Sequence, residues 1–351
     1  VTARAAFRAL AVRLGLTLAG VALALGLGEA LAPASTGGFS ALVQAFGRCA
    51  LVPDLMRGYR ARPGADCEVG GVPYRFSAWG TRGETPPGAA RGLLVLALGD
   101  SMTMGWGVPQ EAAWPASLAA RLRRRGLAVP VVNAGLVGYG TWRELATWDA
   151  LEPRLQALAA SGGPRLAAVV LGYFPNDPEP LAEGVGARGP GWSRLWRWAA
   201  PRLRALGTRL GLLPTAAQHY EALHAPGSPA WARQRAAFDA LAARCEARRV
   251  PCVVAVLPPL TPTPGWGSIA ARVVDAARGR GLGAVDLTGA LARARGAARD
   301  PRVGWVAPDD PHPDASVHAA YARALAPVVA EVLARGEPAP VTSPSPAGPG
   351  E

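Results

Sequence analysis

The chain has 351 residues, half of them hydrophobic, which is enough for one large buried core and excludes an intrinsically disordered protein. Its formal charge is +12, from 37 basic and 25 acidic residues, but every basic residue is an arginine and the arginines are scattered. The densest cluster, Arg121, Arg123, Arg124 and Arg125, falls at the end of a predicted helix, where it complements the helix dipole; with no nucleic-acid motif beside it, nucleic acid is not expected as a partner.

The first predicted element follows Arg4, Arg8 and Arg13. Leu14 to Gly28 is an uncharged run of 15 residues, about 22 Å long as a helix. That length fits the apolar region of a signal peptide, and Ala32-Pro33-Ala34 offers small residues for cleavage. The run also spans a bilayer as an anchor over residues 9–31 if Arg13 snorkels. Either way the arginines stay cytoplasmic and the rest of the chain is extracytoplasmic, periplasmic or secreted. A buried core helix is the third reading. The expected divisions are a hydrophobic anchor or signal peptide at 1–34, an irregular Gly- and Pro-rich lead-in at 35–90, the main domain at 91–335 and a disordered proline-rich tail at 336–351. Cys49, Cys67, Cys245 and Cys252 lie beyond the leader. Export permits disulfides, and sequence neighbours suggest Cys49–Cys67 and Cys245–Cys252; four free thiols are the alternative.

From residue 93 a regular alternation begins. Residues 93–98, 130–135, 166–173, 251–257 and 284–287 read as strands buried on both faces. Alanine-rich helices are predicted at 114–125, 141–160, 229–249, 265–280 and 315–335. The last carries Val317, Tyr321, Leu325, Val328 and Val332 on one face, with Asp314 as its cap and Gly336 at its end. Strands alternating with helices imply a parallel sheet covered on both sides, with ligands beyond the carboxyl ends of its strands. An insertion at 178–227 breaks the rhythm; in it Trp192, Trp196, Ala199, Leu203 and Leu206 share a helical face flanked by arginines. Such a helix packs on its own domain, covers a pocket or lies on a membrane.

The strand at 93–98 ends in Gly99-Asp100-Ser101, which sets Ser101 at the carboxyl edge of the sheet. A serine hydroxyl becomes a nucleophile when a base takes its proton. Of the four histidines, His312 stands after the fifth strand, where its loop returns to the same edge. Asp309, three residues earlier, is the preferred carboxylate to orient the imidazole, ahead of Asp310. A reacting carbonyl also needs oxyanion donors. Gly135, in the loop after the second strand, offers a backbone N–H, and Asn176, after the third, offers its side-chain amide.

This ordered set resembles the GDSL, or SGNH, hydrolase family over roughly residues 91 to 335. The resemblance implies Ser101 as nucleophile, Asp309 and His312 as the rest of a triad, and Ser101, Gly135 and Asn176 as the oxyanion hole. It implies an α/β fold, a flavodoxin-like three-layer α/β/α sandwich with a five-stranded parallel sheet, and no metal or organic cofactor. Ser77 to Gly83, "SAWGTRG", also looks like exported bacterial members. Phe174 departs from the family pattern where the third block commonly has glycine, and Val317 stands before His318 in the last block. Three functions follow as expectations: an esterase acting on a small ester or acylated carbohydrate, an O-acyltransferase acting on an extracytoplasmic polysaccharide, and a binding module without chemistry. Gly184, Gly186 and Gly189 spell a dinucleotide-like pattern, but not after a strand; His219 and His224 lack the carboxylate spacing of a metalloprotease.

Overall fold

The first element has almost nothing to pack against. In the computed structural model, which describes residues 2–32, 39–86, 92–180 and 193–336, α1 (Thr2–Leu31) stands away from the folded body. Its stretch Leu10–Leu31 has a mean hydropathy of 2.0 and no share buried inside the fold, so the core-helix reading does not hold. Its 22 residues make about 33 Å of helix, long and apolar enough to cross a bilayer core of ~30 Å. Such a helix suits a signal sequence or a membrane anchor. Pro33 and Ala34 of the cleavage-like sequence lie outside the described residues, as do the glycines at 184, 186 and 189, Trp192, and the tail beyond 336.

The stretch expected to be irregular contains regular structure. A helix, α2 (Phe39–Ala50), precedes two antiparallel hairpins, β1 (Leu51–Asp54) with β2 (Gly58–Ala61) and β3 (Asp66–Val69) with β4 (Val72–Arg75). Strands of four residues are too short to show a period, and Gly70 and Gly71, both at positive φ, make the second turn. The Cys49–Cys67 disulfide joins α2 to β3. Phe46 packs edge-on against Tyr74 and Trp106 in a small separate core.

The main domain begins with β5 (Leu93–Gly99), then α3 (Ser101–Met104), α4 (Trp114–Arg124), β6 (Val131–Asn133), α5 (Thr141–Ala160) and β7 (Arg165–Tyr173). After the insertion helices α6 (Arg194–Arg209) and α7 (Ala216–His224) come α8 (Pro229–Arg248), β8 (Cys252–Val256), α9 (Trp266–Arg278), β9 (Gly283–Asp286) and α10 (Thr288–Arg295). A hairpin of β10 (Trp305–Ala307) and β11 (Asp310–Pro313) leads into α11 (Ala315–Gly336). The central sheet has the order β6-β5-β7-β8-β9 and is parallel throughout, as expected. Side chains alternate across β5: Leu94, Leu96 and Leu98 enter one core with Trp148 of α5, Phe238 of α8 and Ile269 of α9. Val95 and Ala97 enter the other with Leu118 of α4, Leu291 of α10 and Tyr321 of α11. Three layers follow from that alternation. The Cys245–Cys252 disulfide ties the end of α8 to β8. In α11 the buried face runs through Val329 and Leu333 where Val328 and Val332 were expected. Asp314 caps that helix, its Oδ1 accepting from Val317 N at 3.0 Å.

Candidate active site

Two glycines let the chain turn sharply at the edge of the sheet. Gly99 has φ 153°, and a Cβ there would lie 2.0 Å from Thr103 Oγ1. Its neighbour across the ladder, Gly172 of β7, would bring a Cβ within 2.2 Å of the same oxygen. A side chain at either position would push α3 off the sheet. Asp100 caps α3, its Oδ1 accepting from Met102 N at 2.8 Å, which leaves Ser101 at the first helical position. Burial pushes the Asp100 carboxyl up to about 6, against the opposing pull of the Met102 N–H and the His312 charge.

Arg82, from the "SAWGTRG" stretch, braces the far end of that turn. Its guanidinium lies over the Tyr74 ring at 4.6 Å and donates to the carbonyls of Met104, Gly105 and Val108. Burial lowers its pKa to about 10, so it remains a cation at neutral pH, set among the carbonyls at the end of α3.

Ser101 Oγ lies 2.8 Å from His312 Nε2. The imidazole Nδ1 lies 2.5 Å from Asp310 Oδ1, and Asp310 Oδ2 accepts from Trp106 Nε1 at 2.8 Å. The expectation for Asp309 is therefore corrected: Asp310 is the buried carboxylate on His312, and Asp309 is exposed. The reason is the strand. His312 belongs to β11, where residues two apart share a face and adjacent residues oppose it. Burial raises the Asp310 pKa, but the hydrogen bond and charge of His312 and the Trp106 N–H outweigh it and hold the carboxyl below its ordinary range. Trp106, five residues after Ser101, drew no notice in the sequence because an apolar core explains a tryptophan equally well.

The loops after β6 and β7 flank Ser101, because those strands flank β5. They are tied together. Asp177 Oδ2 accepts from Thr141 Oγ1 at 2.9 Å, and Gly140 allows close contact, since a Cβ there would meet Asp177 O at 2.6 Å. This brings Gly138 and Asn176 onto the wall of one pocket, with Trp142, Arg143 and Arg233 beside them. Asn176 Oδ1 has no hydrogen-bond partner among the described residues. Gly135 lies elsewhere. Its N–H donates to Asn133 Oδ1 at 3.1 Å, and a Cβ on it would meet Met104 N at 2.4 Å, so it is a packing glycine beneath α3. Gly138, at φ 70°, has an N–H with no acceptor among the described residues and shares the pocket wall with Asn176. Three glycines in "GLVGYG" gave the sequence no means of choosing between them. Tyr59 OH, from the lead-in subdomain, supports this loop by donating to Val137 O at 2.6 Å.

The other histidines are structural. His318 accepts from Trp114 N at 3.2 Å through Nδ1, and burial pushes its pKa down to about 3. His224 lies between Tyr173 OH at 2.6 Å and Tyr220 O at 2.7 Å, with its pKa pushed down by burial to about 4. His219 meets Glu179 at 2.9 Å.

Behind the pocket, Glu144 of α5 is fully buried and neither carboxylate oxygen has a partner among the described residues. Burial, with the charges of Asp177 and Asp100 nearby, holds its pKa well above the ordinary value. A raised pKa contributes stability that is complete below the unfolded value of 4.5 and is lost as pH rises toward the folded one. Glu144→Gln removes that loss. Thermal melts are expected to show the variant's advantage over the parent growing as pH rises above 5, at about 1.4 kcal/mol per pH unit while only the unfolded chain ionises. An advantage independent of pH would show Glu144 to be ionised in the folded protein.

Comparison with known proteins finds a family and a set of solved structures. The profile described as the GDSL-like Lipase/Acylhydrolase family matches residues 97–320. Among solved structures, TesA is 18% identical, covering 68% of this chain and 99% of its own, at a TM-score of 0.41. The psychrotrophic esterase EstA from Pseudoalteromonas sp. is 13% identical, covering 69% and 95%, at 0.36. The acetyl xylan esterase AlAXEase is 14% identical, covering 68% and 100%, at 0.38. No curated protein matches.

Proposed function

The chain belongs to the GDSL-like lipase/acylhydrolase family, and from that premise we propose that it is a membrane-anchored, extracytoplasmic serine esterase. The observation that carries this reading is the unbroken hydrogen-bond line from Ser101 Oγ through His312 to Asp310. The reactive tautomer carries its proton on Nδ1, facing Asp310, and turns the Nε2 lone pair to Ser101. Ser101 Oγ attacks the ester carbonyl as its proton passes to Nε2. Asp310 then stabilises the imidazolium. Asn176 Nδ2, Gly138 N–H and Ser101 N–H hold the oxyanion. His312 returns its proton to the departing alcohol, and a water activated by the same Nε2 hydrolyses the acyl-enzyme.

The favoured substrate is a short acyl ester of a carbohydrate. Trp142 is 44% exposed at the pocket, a flat apolar face for a sugar ring, with the guanidinium groups of Arg143 and Arg233 on the same wall. The intact line of donors weighs against a binding module without chemistry. The transferase reading keeps the acyl-enzyme and changes the acceptor. The purified chain, given an acetylated oligosaccharide and an excess of unacetylated acceptor, is expected to release free acetate. Acetyl appearing on the acceptor in preference to water would make it a transferase, and neither product would overturn both readings.

A further inference from the structure

Among the described residues, the insertion helix α6 makes little contact with the main domain, on which the simpler sequence reading packs it. Most of its side chains from Arg202 onward are exposed, and the element it chiefly meets is α1. The junction is specific. Glu29, near the end of α1, accepts from Ser193 Oγ at 2.8 Å, from Arg194 N at 2.5 Å and from Leu195 N at 3.1 Å. Its carboxylate therefore satisfies the free N–H groups at the start of α6. Arg194 reaches back to Ala32 O at 2.5 Å, and Leu195 packs on Gly28, where a Cβ would come within 2.9 Å.

At 100° per residue, Leu195, Ala199, Leu203, Leu206 and Leu210 fall on one stripe, with Trp196 at its margin. Leu203, Leu206 and Leu210 are more than half exposed, at 57%, 51% and 62%. Because Leu195 touches Gly28, this stripe continues the apolar surface of α1. Residues 193–213 carry five arginines and no acidic residue. Arg202 and Arg209 border the stripe on one side, and Arg204 lies on the back of the helix near Thr208.

We propose that α1 is retained as an anchor and that α6 lies in the outer interface of the same membrane, its leucine stripe among the upper acyl chains and its arginines against anionic headgroups. An apolar stripe bordered by arginine, with tryptophan at the edge, is the pattern of an interfacial helix. The Glu29 cap fixes where α6 leaves the bilayer surface. The catalytic domain is then held beside the membrane through two elements.

The test uses the full chain in nanodiscs containing phosphatidylglycerol. All four native cysteines are in disulfides, so a single introduced cysteine takes an environment-sensitive fluorophore alone. Probes at Leu206→Cys and Leu203→Cys are expected to shift to the blue and to lose most of their emission to spin labels on the upper acyl chains. A probe at Thr208→Cys, on the opposite face, is expected to keep it. A probe at Leu18→Cys is expected to be quenched by deep labels, which checks α1 separately. Glu29→Ala is expected to weaken quenching at 206 while leaving it at 18. A blue-shifted but unquenched probe at 206 would mean that protein covers the stripe, and a water-like probe would mean that solvent does; either overturns the proposal. Quenching at 206 alike in the parent and in Glu29→Ala would remove the role given to the cap.

Discussion

Asp310→Asn is expected to lower kcat by about 10³–10⁴-fold with little change in KM, while Asp309→Asn leaves both parameters where they are. The asymmetry follows from the β11 strand. Asp310 is 3% exposed and accepts at both oxygens, from His312 through Oδ1 and from Trp106 through Oδ2. An amide at 310 has one acceptor and one donor. If its oxygen keeps the Trp106 N–H, its NH2 faces Nδ1 and forces the imidazole proton onto Nε2, where it can no longer accept from Ser101. If it turns over, the Trp106 N–H loses its acceptor in a buried site, at a cost of ~1–3 kcal/mol. Steady-state kinetics on a short acyl ester, with thermal melts to confirm folding, separate the two variants. Equal losses at 309 and 310, or a loss at 309 alone, would mean that the hairpin turns differently.

Asn176→Ala is expected to cost about 10²–10³ in kcat, again with little effect on KM. The donor is needed most when the carbonyl oxygen becomes an anion, so its loss is felt in the transition state more than in binding. Stability should hardly move, because Asn176 Oδ1 has no partner among the described residues to lose. The neighbouring Asp177 contrasts with it, since its carboxylate ties this loop to Thr141. Kinetics and melts on the same preparation distinguish an oxyanion donor from a loop-closing residue. A fall in melting temperature matching the fall in activity would favour the second.

The sheet was legible because its central strands β5, β7 and β8 are buried on both faces and so appear as unbroken aliphatic runs between helices of regular period, whereas the edge strand β9, expected to be buried likewise, is partly exposed. The Ser101–His312 pair was legible for a related reason: Ser101 follows such a run, and His312 lies in the segment after the last one, which the β10–β11 hairpin returns to the same edge. Asp309 failed where residue spacing was read without secondary structure, because a hairpin at 305–313 exchanges the roles of adjacent positions. Gly135 failed because a glycine required for packing and one offering a free N–H look alike in sequence; the contact with Met104 N distinguishes them. The lead-in at 39–86 hid its hairpins in strands of four residues, and with them the support it gives the pocket through Tyr59 and Arg82.

The most direct measurement is covalent labelling with a fluorophosphonate, followed by mass spectrometry of the intact chain and of its peptides. One phosphonyl group per chain, located on Ser101, absent in Ser101→Ala and strongly slowed in His312→Ala, is the expected result. A folded chain that takes no label, or takes it at another serine, would contradict a nucleophile at the end of β5.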